Sequence, residues 1–174
     1  MTTERVGDLT YKGEPLTVLG DKLQPGDKAP DFRLTADDLR EVTLADSAGK
    51  VRLISVVPAL GTRICDIQTQ RFNAEAANLG ENVVILTVST DEPDAQAEWC
   101  GTHDADRVQV LSDYQDLNFG DAWGTHVKEM QREQRAIFVV DAADVITYVE
   151  YVPEISQHPD YEAAITAVQA AANQ

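Results

Sequence analysis

The sequence predicts an α/β layered domain, and three observations carry that expectation. Val51–Val57 (VRLISVV) and Val83–Ser89 (VVILTVS) are nearly unbroken apolar runs of strand length, as in parallel strands covered by helices on both faces. Each is followed by a stretch with helical character, so strands and helices alternate. The last two extended runs, Ala136–Asp141 and Val145–Val152, are separated only by Ala142-Ala143-Asp144, which adds an antiparallel part to the sheet.

The elements follow in order. Thr10–Leu19 (TYKGEPLTVL) places turn chemistry, Lys12-Gly13-Glu14-Pro15, between two β-prone runs and predicts a hairpin within residues 1–20. Pro25 and Pro30 bound a loop, because proline restricts its neighbours and breaks helices. Asp31–Leu34 and Glu41–Leu44 are short extended pieces, and Asp46–Lys50 is polar with a glycine. Pro58 ends the first buried strand. From Arg63 onward Cys65, Phe72, Ala76 and Leu79 share one helical face, and Gly80 supplies the stop. Asp94–Gly101 reads as a short helix, Val108–Leu111 as a short strand, and Ser112–Gly124 as a loop with helical turns. In that loop Tyr114, Phe119 and Trp123 are expected to cover another element or a subunit interface. A terminal helix spans Asp160–Ala172, with Asp160 as N-cap and Ala164, Ile165 and Val168 facing inward. With neither linker nor repeat, residues 1–174 read as one domain.

Composition narrows the function. A chain of 174 residues buries roughly 70% of its surface on folding, so a core forms without disulfides or a structural metal. The formal net charge of −16 argues against nucleic acid or an anionic membrane as partner, since phosphate surfaces attract positive charge. With neither a secretory leader pattern nor a long apolar run, the chain reads as cytosolic. There a permanent disulfide is disfavoured, so Cys65 and Cys100 are core residues, redox-active thiols, or both. His103, His126 and His158 have no metal-ligand spacing, and neither metal nor cofactor is expected.

The chemistry concentrates in Pro58-Ala59-Leu60-Gly61-Thr62-Arg63-Ile64-Cys65. A buried strand ends at a proline, a tight loop follows, and a cysteine opens the next helix. Unpaired N–H groups and the macrodipole at a helix start favour an anion, so a cysteine there ionises more readily. Lowering a thiol pKa from ~8.5 to ~6 raises the thiolate fraction at pH 7 only about 30-fold. Fast chemistry therefore needs donors aimed at the charge that develops. The Thr62 hydroxyl, three positions before the cysteine, can face the same pocket, and Pro58 walls it with apolar surface.

The spacing Pro-x-x-x-Thr-x-x-Cys resembles the active-site signature of the peroxiredoxins. Agreement with their bacterial thiol peroxidase subfamily continues through Pro25–Phe32 (PGDKAPDF), Asp91-Glu92-Pro93, Trp99-Cys100, Leu111–Tyr114, Arg135–Asp141 and Tyr148–Glu154. The resemblance implies a thioredoxin-like fold, with a central mixed β-sheet flanked by helices. It implies that Cys65 attacks a peroxide and that Cys100 resolves the resulting sulfenic acid as an intramolecular disulfide. Thr62 orients the substrate oxygens, Arg135 completes the pocket with Pro58, and a thioredoxin-like dithiol restores the enzyme. A homodimer is implied as well. Hydrogen peroxide and organic hydroperoxides are the substrates expected. The rival reading is a non-enzymatic redox sensor switched by the same disulfide. Two positions depart from the subfamily pattern: Gly61 stands where aspartate is common and is expected to loosen the loop, and Arg63 stands where a small residue or proline is common. Arg63 is expected to offset the negative charge of Asp66 beside the cysteine.

Overall fold

The computed structural model describes residues 2–173. The chain opens with strands β1 (Glu4–Tyr11) and β2 (Glu14–Leu19), then short strands β3 (Leu34–Thr35) and β4 (Glu41–Val42). The central βαβαβ segment is β5 (Val51–Val56), α1 (Arg63–Glu75), β6 (Val83–Ser89), α2 (Pro93–His103) and β7 (Gln109–Ser112). A short helix α3 (Asn118–Trp123) leads to strands β8 (His126–Val127) and β9 (Arg132–Glu133). Strands β10 (Ala136–Val140) and β11 (Ile146–Tyr151) and helix α4 (Tyr161–Ala172) complete the fold.

Seven strands form one mixed sheet in the order β11-β10-β5-β6-β7-β3-β4. Strands β5, β6 and β7 run parallel, and β10 and β11 pair antiparallel, as the apolar runs and the short final connection lead one to expect; β10 also pairs antiparallel with β5. Alternate residues feed two cores. Leu53, Ile137 and Val139 pack with Phe72 of α1, Trp99 of α2 and Val168 of α4. On the opposite face Ile54, Val56 and Phe138 meet Phe32, Phe119 and Trp123. Phe119 and Trp123 cover another element, as expected, and do so from inside the core: both are fully buried within the chain, so neither lines a subunit interface, and Trp123 stands edge-on to Phe138 at 5.0 Å. A single turn of helix is enough to turn aromatic residues from a polar loop into the core.

Arg52 interrupts the apolar run of β5 yet is wholly buried. Its guanidinium meets the Asp144 carboxylate at 2.7 Å, Ser47 Oγ at 2.8 Å and the Leu44 and Asp141 carbonyls at 3.1 and 3.0 Å. A buried charge is tolerable only when paired in this way.

The hairpin turn is tighter than expected. Lys12 and Gly13 alone form it, with φ of 51° and 84°, the two-residue geometry that matches strand twist. β1 also starts earlier than Thr10, because its pairing continues to Glu4 opposite Leu19 across a bulge. β8 and β9 extend this hairpin into a four-stranded sheet, which the polar stretch KEMQRE gave no reason to anticipate. Gly20, at φ +95°, lets the hairpin's end press against α3: a Cβ there would fall 2.6 Å from the Asp121 carbonyl. At the other end Thr10 N–H donates to Pro153 O and Ile155 N–H donates to Thr10 O (2.9 and 3.0 Å). That tether places Tyr11 beside Ile155, where both matter for the site.

Candidate active site

The loop after β5 is held from several directions. Val57 N–H still bonds to β6 through the Val88 carbonyl at 2.9 Å. Leu60 N–H donates to Asp91 Oδ2 and Gly61 N–H donates to Asp66 Oδ1, both at 2.8 Å. Gly61 lies at φ +89°, the region glycine enters without strain. The glycine thus permits a fixed turn, and the expectation of a loosened loop gives way to one anchored by two carboxylates. Thr62 is the N-cap of α1, and Asp66 N–H returns to its carbonyl at 2.9 Å. Cys65 falls in the first turn, where backbone N–H groups have no intrahelical acceptor.

Cys65 is a free thiol and only 1% exposed. Arg135 Nη1 lies 3.6 Å from its sulfur and 3.1 Å from Gln68 Oε1, while Nη2 donates to the Ile155 carbonyl at 2.8 Å. Gln68 is oriented in turn by donating to Ser55 Oγ at 2.8 Å. Arg135 Nε is buried without a partner among the described residues. The Thr62 hydroxyl donates its proton to the Ala59 carbonyl at 2.7 Å, which leaves its lone pairs as acceptors. Pro58, Thr62, Cys65 and Arg135 line one cavity of about 370 Å³.

Cys100 is absent from that cavity. It lies in α2, half-buried against the core that holds Trp99, and lines a separate cleft of about 300 Å³ with Asp37 and Arg40. Burial pushes its thiol pKa up, and the nearby Asp37 carboxylate pushes the same way. The two cysteine helices are nonetheless latched together one residue from each sulfur: Trp99 Nε1 donates to Asp66 Oδ1 at 2.9 Å. His103 stacks on Trp99 at 4.2 Å and brings Nε2 to 4.0 Å from Asp66 Oδ2. Asp66 is therefore engaged by Gly61 and α2, and Arg63 forms no ion pair with it among the described residues.

Sequence reasoning missed several residues here. Gln68 follows Cys65 by one helical turn, a spacing that could have suggested a shared face. Asp91 and Arg132 meet at 3.6 Å, joining the β6 exit to β9, and had no local signal. Glu133 lies fully buried between Arg132 and Arg135 in sequence, with Thr125 donating to Oε2. Burial, with Asp113 adjacent, holds its carboxyl well above the usual range, and burial pushes the Asp113 carboxyl up as well. The expected histidines are engaged locally: His126 with Asp121 at 2.7 Å and His158 with Tyr161 at 2.8 Å. Among the described residues no group of three His, Cys, Asp or Glu side chains converges to hold a metal, and no helix is long and apolar enough to cross a membrane.

A cysteine at a helix start beside a buried guanidinium, behind an open cavity, is an arrangement for thiol chemistry on an oxygen substrate, and the relatives agree. The Redoxin family matches residues 24–165. The thiol peroxidase of Halalkalibacterium halodurans is 53% identical over 166 residues, covering 95% of this chain and 99% of that one. That of Bacillus subtilis is 46% identical, with 95% and 98% covered. A peroxiredoxin-like protein of Aquifex aeolicus superposes with a TM-score of 0.88 at 30% identity, covering 97% of this chain and 98% of that chain. The thioredoxin-like fold and the peroxidase class follow: the chain belongs to the Redoxin family and, within it, to the bacterial thiol peroxidases.

Proposed function

We propose that this thiol-dependent peroxidase reduces hydrogen peroxide and organic hydroperoxides through Cys65 and recycles by way of Cys100. The observation that carries the reading is the 3.6 Å contact between Arg135 Nη1 and Cys65 Sγ at the Thr62-lined cavity. The Cys65 thiolate attacks the terminal oxygen of ROOH. An S–O bond forms, the O–O bond breaks, and the alkoxide leaves with a proton as ROH, giving Cys65 sulfenic acid. Thr62 Oγ, its own proton committed to Ala59, accepts the hydrogen bond of the peroxide O–H. Arg135 stabilises both the thiolate and the negative charge on the departing oxygen by charge-assisted hydrogen bonds. Pro58, without an N–H, keeps its side of the pocket apolar.

Cys100 then condenses with the sulfenic acid, releasing water and forming a disulfide that a thioredoxin-like dithiol reduces. The two thiols open onto different cavities, so the start of α1 and the segment around Cys100 unwind locally before they meet. We assign the whole chain to one catalytic unit, cytosolic, working as a homodimer, without metal or cofactor. The test is peroxide consumption coupled to thioredoxin and its reductase. Many turnovers per chain support the cycle. One oxidation per chain identifies a sensor, and absence of reaction sinks the reading.

A further inference from the structure

We propose that Arg63 selects organic hydroperoxides whose apolar body carries a carboxylate, by pairing with that carboxylate at the mouth of the Cys65 cavity. The inference rests on the peroxidase reading and names the substrate class of the same site.

The first observation is size and lining. A cavity of about 370 Å³ far exceeds hydrogen peroxide, given that a water molecule occupies roughly 30 Å³ in the liquid. Beyond the sulfur its walls are Tyr11, Ile64, Met130 and Ile155, and Tyr11 and Met130 are among the few large hydrophobic side chains left exposed on the molecule, at 42% and 37%. That surface suits an organic body.

The second observation is how the arginines of the cavity are engaged. Arg135 is committed to Cys65, Gln68 and Ile155, and Arg132 approaches the Asp91 carboxylate at 3.6 Å. Arg63 also lines the cavity, is exposed, and makes no side-chain hydrogen bond or ion pair among the described residues. It occupies the first residue of α1, the end where the helix macrodipole disfavours a cation. In a chain of net charge −16, acidic partners are plentiful, yet this cation faces the cavity unpaired. An anion delivered by the substrate completes it. The carboxylate takes no part in bond breaking; it supplies binding at a distance from the O–O bond.

The test compares cumene hydroperoxide with its para-carboxylate, which share one body and differ by one charge. Initial rates give kcat/KM for each in the coupled assay at low ionic strength. The wild-type enzyme is expected to favour the carboxylate roughly five-fold, the scale of one ion pair at a partly exposed site. Arg63→Gln brings the ratio to about one or below, Arg63→Lys keeps most of it, and 0.5 M salt erodes it in the wild type. If Arg63 instead serves only the thiolate, Arg63→Gln lowers both substrates equally and the unchanged ratio overturns the proposal. A wild-type ratio near one overturns it too. Failure to turn over either hydroperoxide overturns the peroxidase reading itself, so the two outcomes are distinct.

Discussion

Cys65 sits in the first turn of a helix with a guanidinium 3.6 Å from its sulfur, whereas Cys100 sits inside a helix with Asp37 as its charged neighbour. Cationic and dipolar surroundings stabilise a thiolate, and apolar and anionic ones suppress it. Two side chains of identical chemistry therefore meet opposite surroundings. In the proposed cycle one attacks first, and the other, its thiol pKa pushed up by burial and by Asp37, reacts second. The difference between them resides in the neighbours, and most of those neighbours are far away in sequence.

The largest test of that asymmetry is removal of each sulfur. Cys65→Ser is expected to lower kcat/KM for peroxide by at least about 10³-fold, since the nucleophile is lost. Cys100→Ser should still consume one equivalent of peroxide per chain and then stall, with the sulfenic acid visible by mass spectrometry after trapping with dimedone. Equal loss in both variants would erase the distinction between the two sites.

Next comes the guanidinium. Arg135→Gln leaves a neutral donor of shorter reach where a cation touched the sulfur. Hydrogen bonds to charged groups contribute about 1.5–3 kcal/mol, so the first oxidation step should slow by roughly 10- to 150-fold. A first oxidation as fast in the variant as in the wild type would mean that the contact is structural only.

Much of this asymmetry was legible in the sequence, for reasons that differ by residue. Cys65, Thr62 and Pro58 were found because strand, turn and helix start are local patterns, and a few adjacent residues suffice to define them. The seven-stranded sheet was foreshadowed by apolar runs whose burial on two faces leaves an unmistakable composition. Arg135 and Cys100 came through resemblance, since nothing near either one specifies its partner. The links that depend on side chains meeting across the fold stayed hidden. Asp66 reaches Trp99, Asp91 reaches Leu60, and Glu133 shares a dry site with Asp113. β8 and β9 were missed because two-residue strands in a polar stretch have no periodicity to read. Arg63 was noticed as a departure from the subfamily pattern, but the bonds that engage Asp66 with Gly61 and Trp99 had no signal in the sequence.

The latch between the two helices offers a finer probe. Trp99 donates to Asp66, so each cysteine helix restrains the other while both thiols are reduced. Trp99→Phe keeps an aromatic ring over His103 and deletes the N–H. One hydrogen bond lost from the starting conformation, to a carboxylate partly exposed to water and so at the low end of the range for charged groups, about 1.5 kcal/mol, should speed disulfide closure after a single peroxide pulse roughly 12-fold in rapid-quench experiments. A slower closure would show that the bond persists in the closing conformation and guides the two sulfurs together.

The smallest effect concerns the Cys100 niche itself, and its sign follows from the two causes already identified. Burial penalises the thiolate, and Asp37 repels it; both raise the pKa above the ordinary thiol value of about 8.5. In the Cys65→Ser protein Cys100 is the lone thiol, so its alkylation by iodoacetamide reports its ionisation without interference. Below the midpoint the rate should climb about tenfold per pH unit, and it should still be climbing at pH 9. Asp37→Asn removes the repulsion but leaves the burial, so the midpoint should move down yet remain above that of a free thiol. A midpoint at the free-thiol value in both proteins would mean that Cys100 reacts from an opened helix even in the reduced state. Its niche would then contribute nothing to the order of events, and the contrast with Cys65 would rest on Arg135 and the helix start alone.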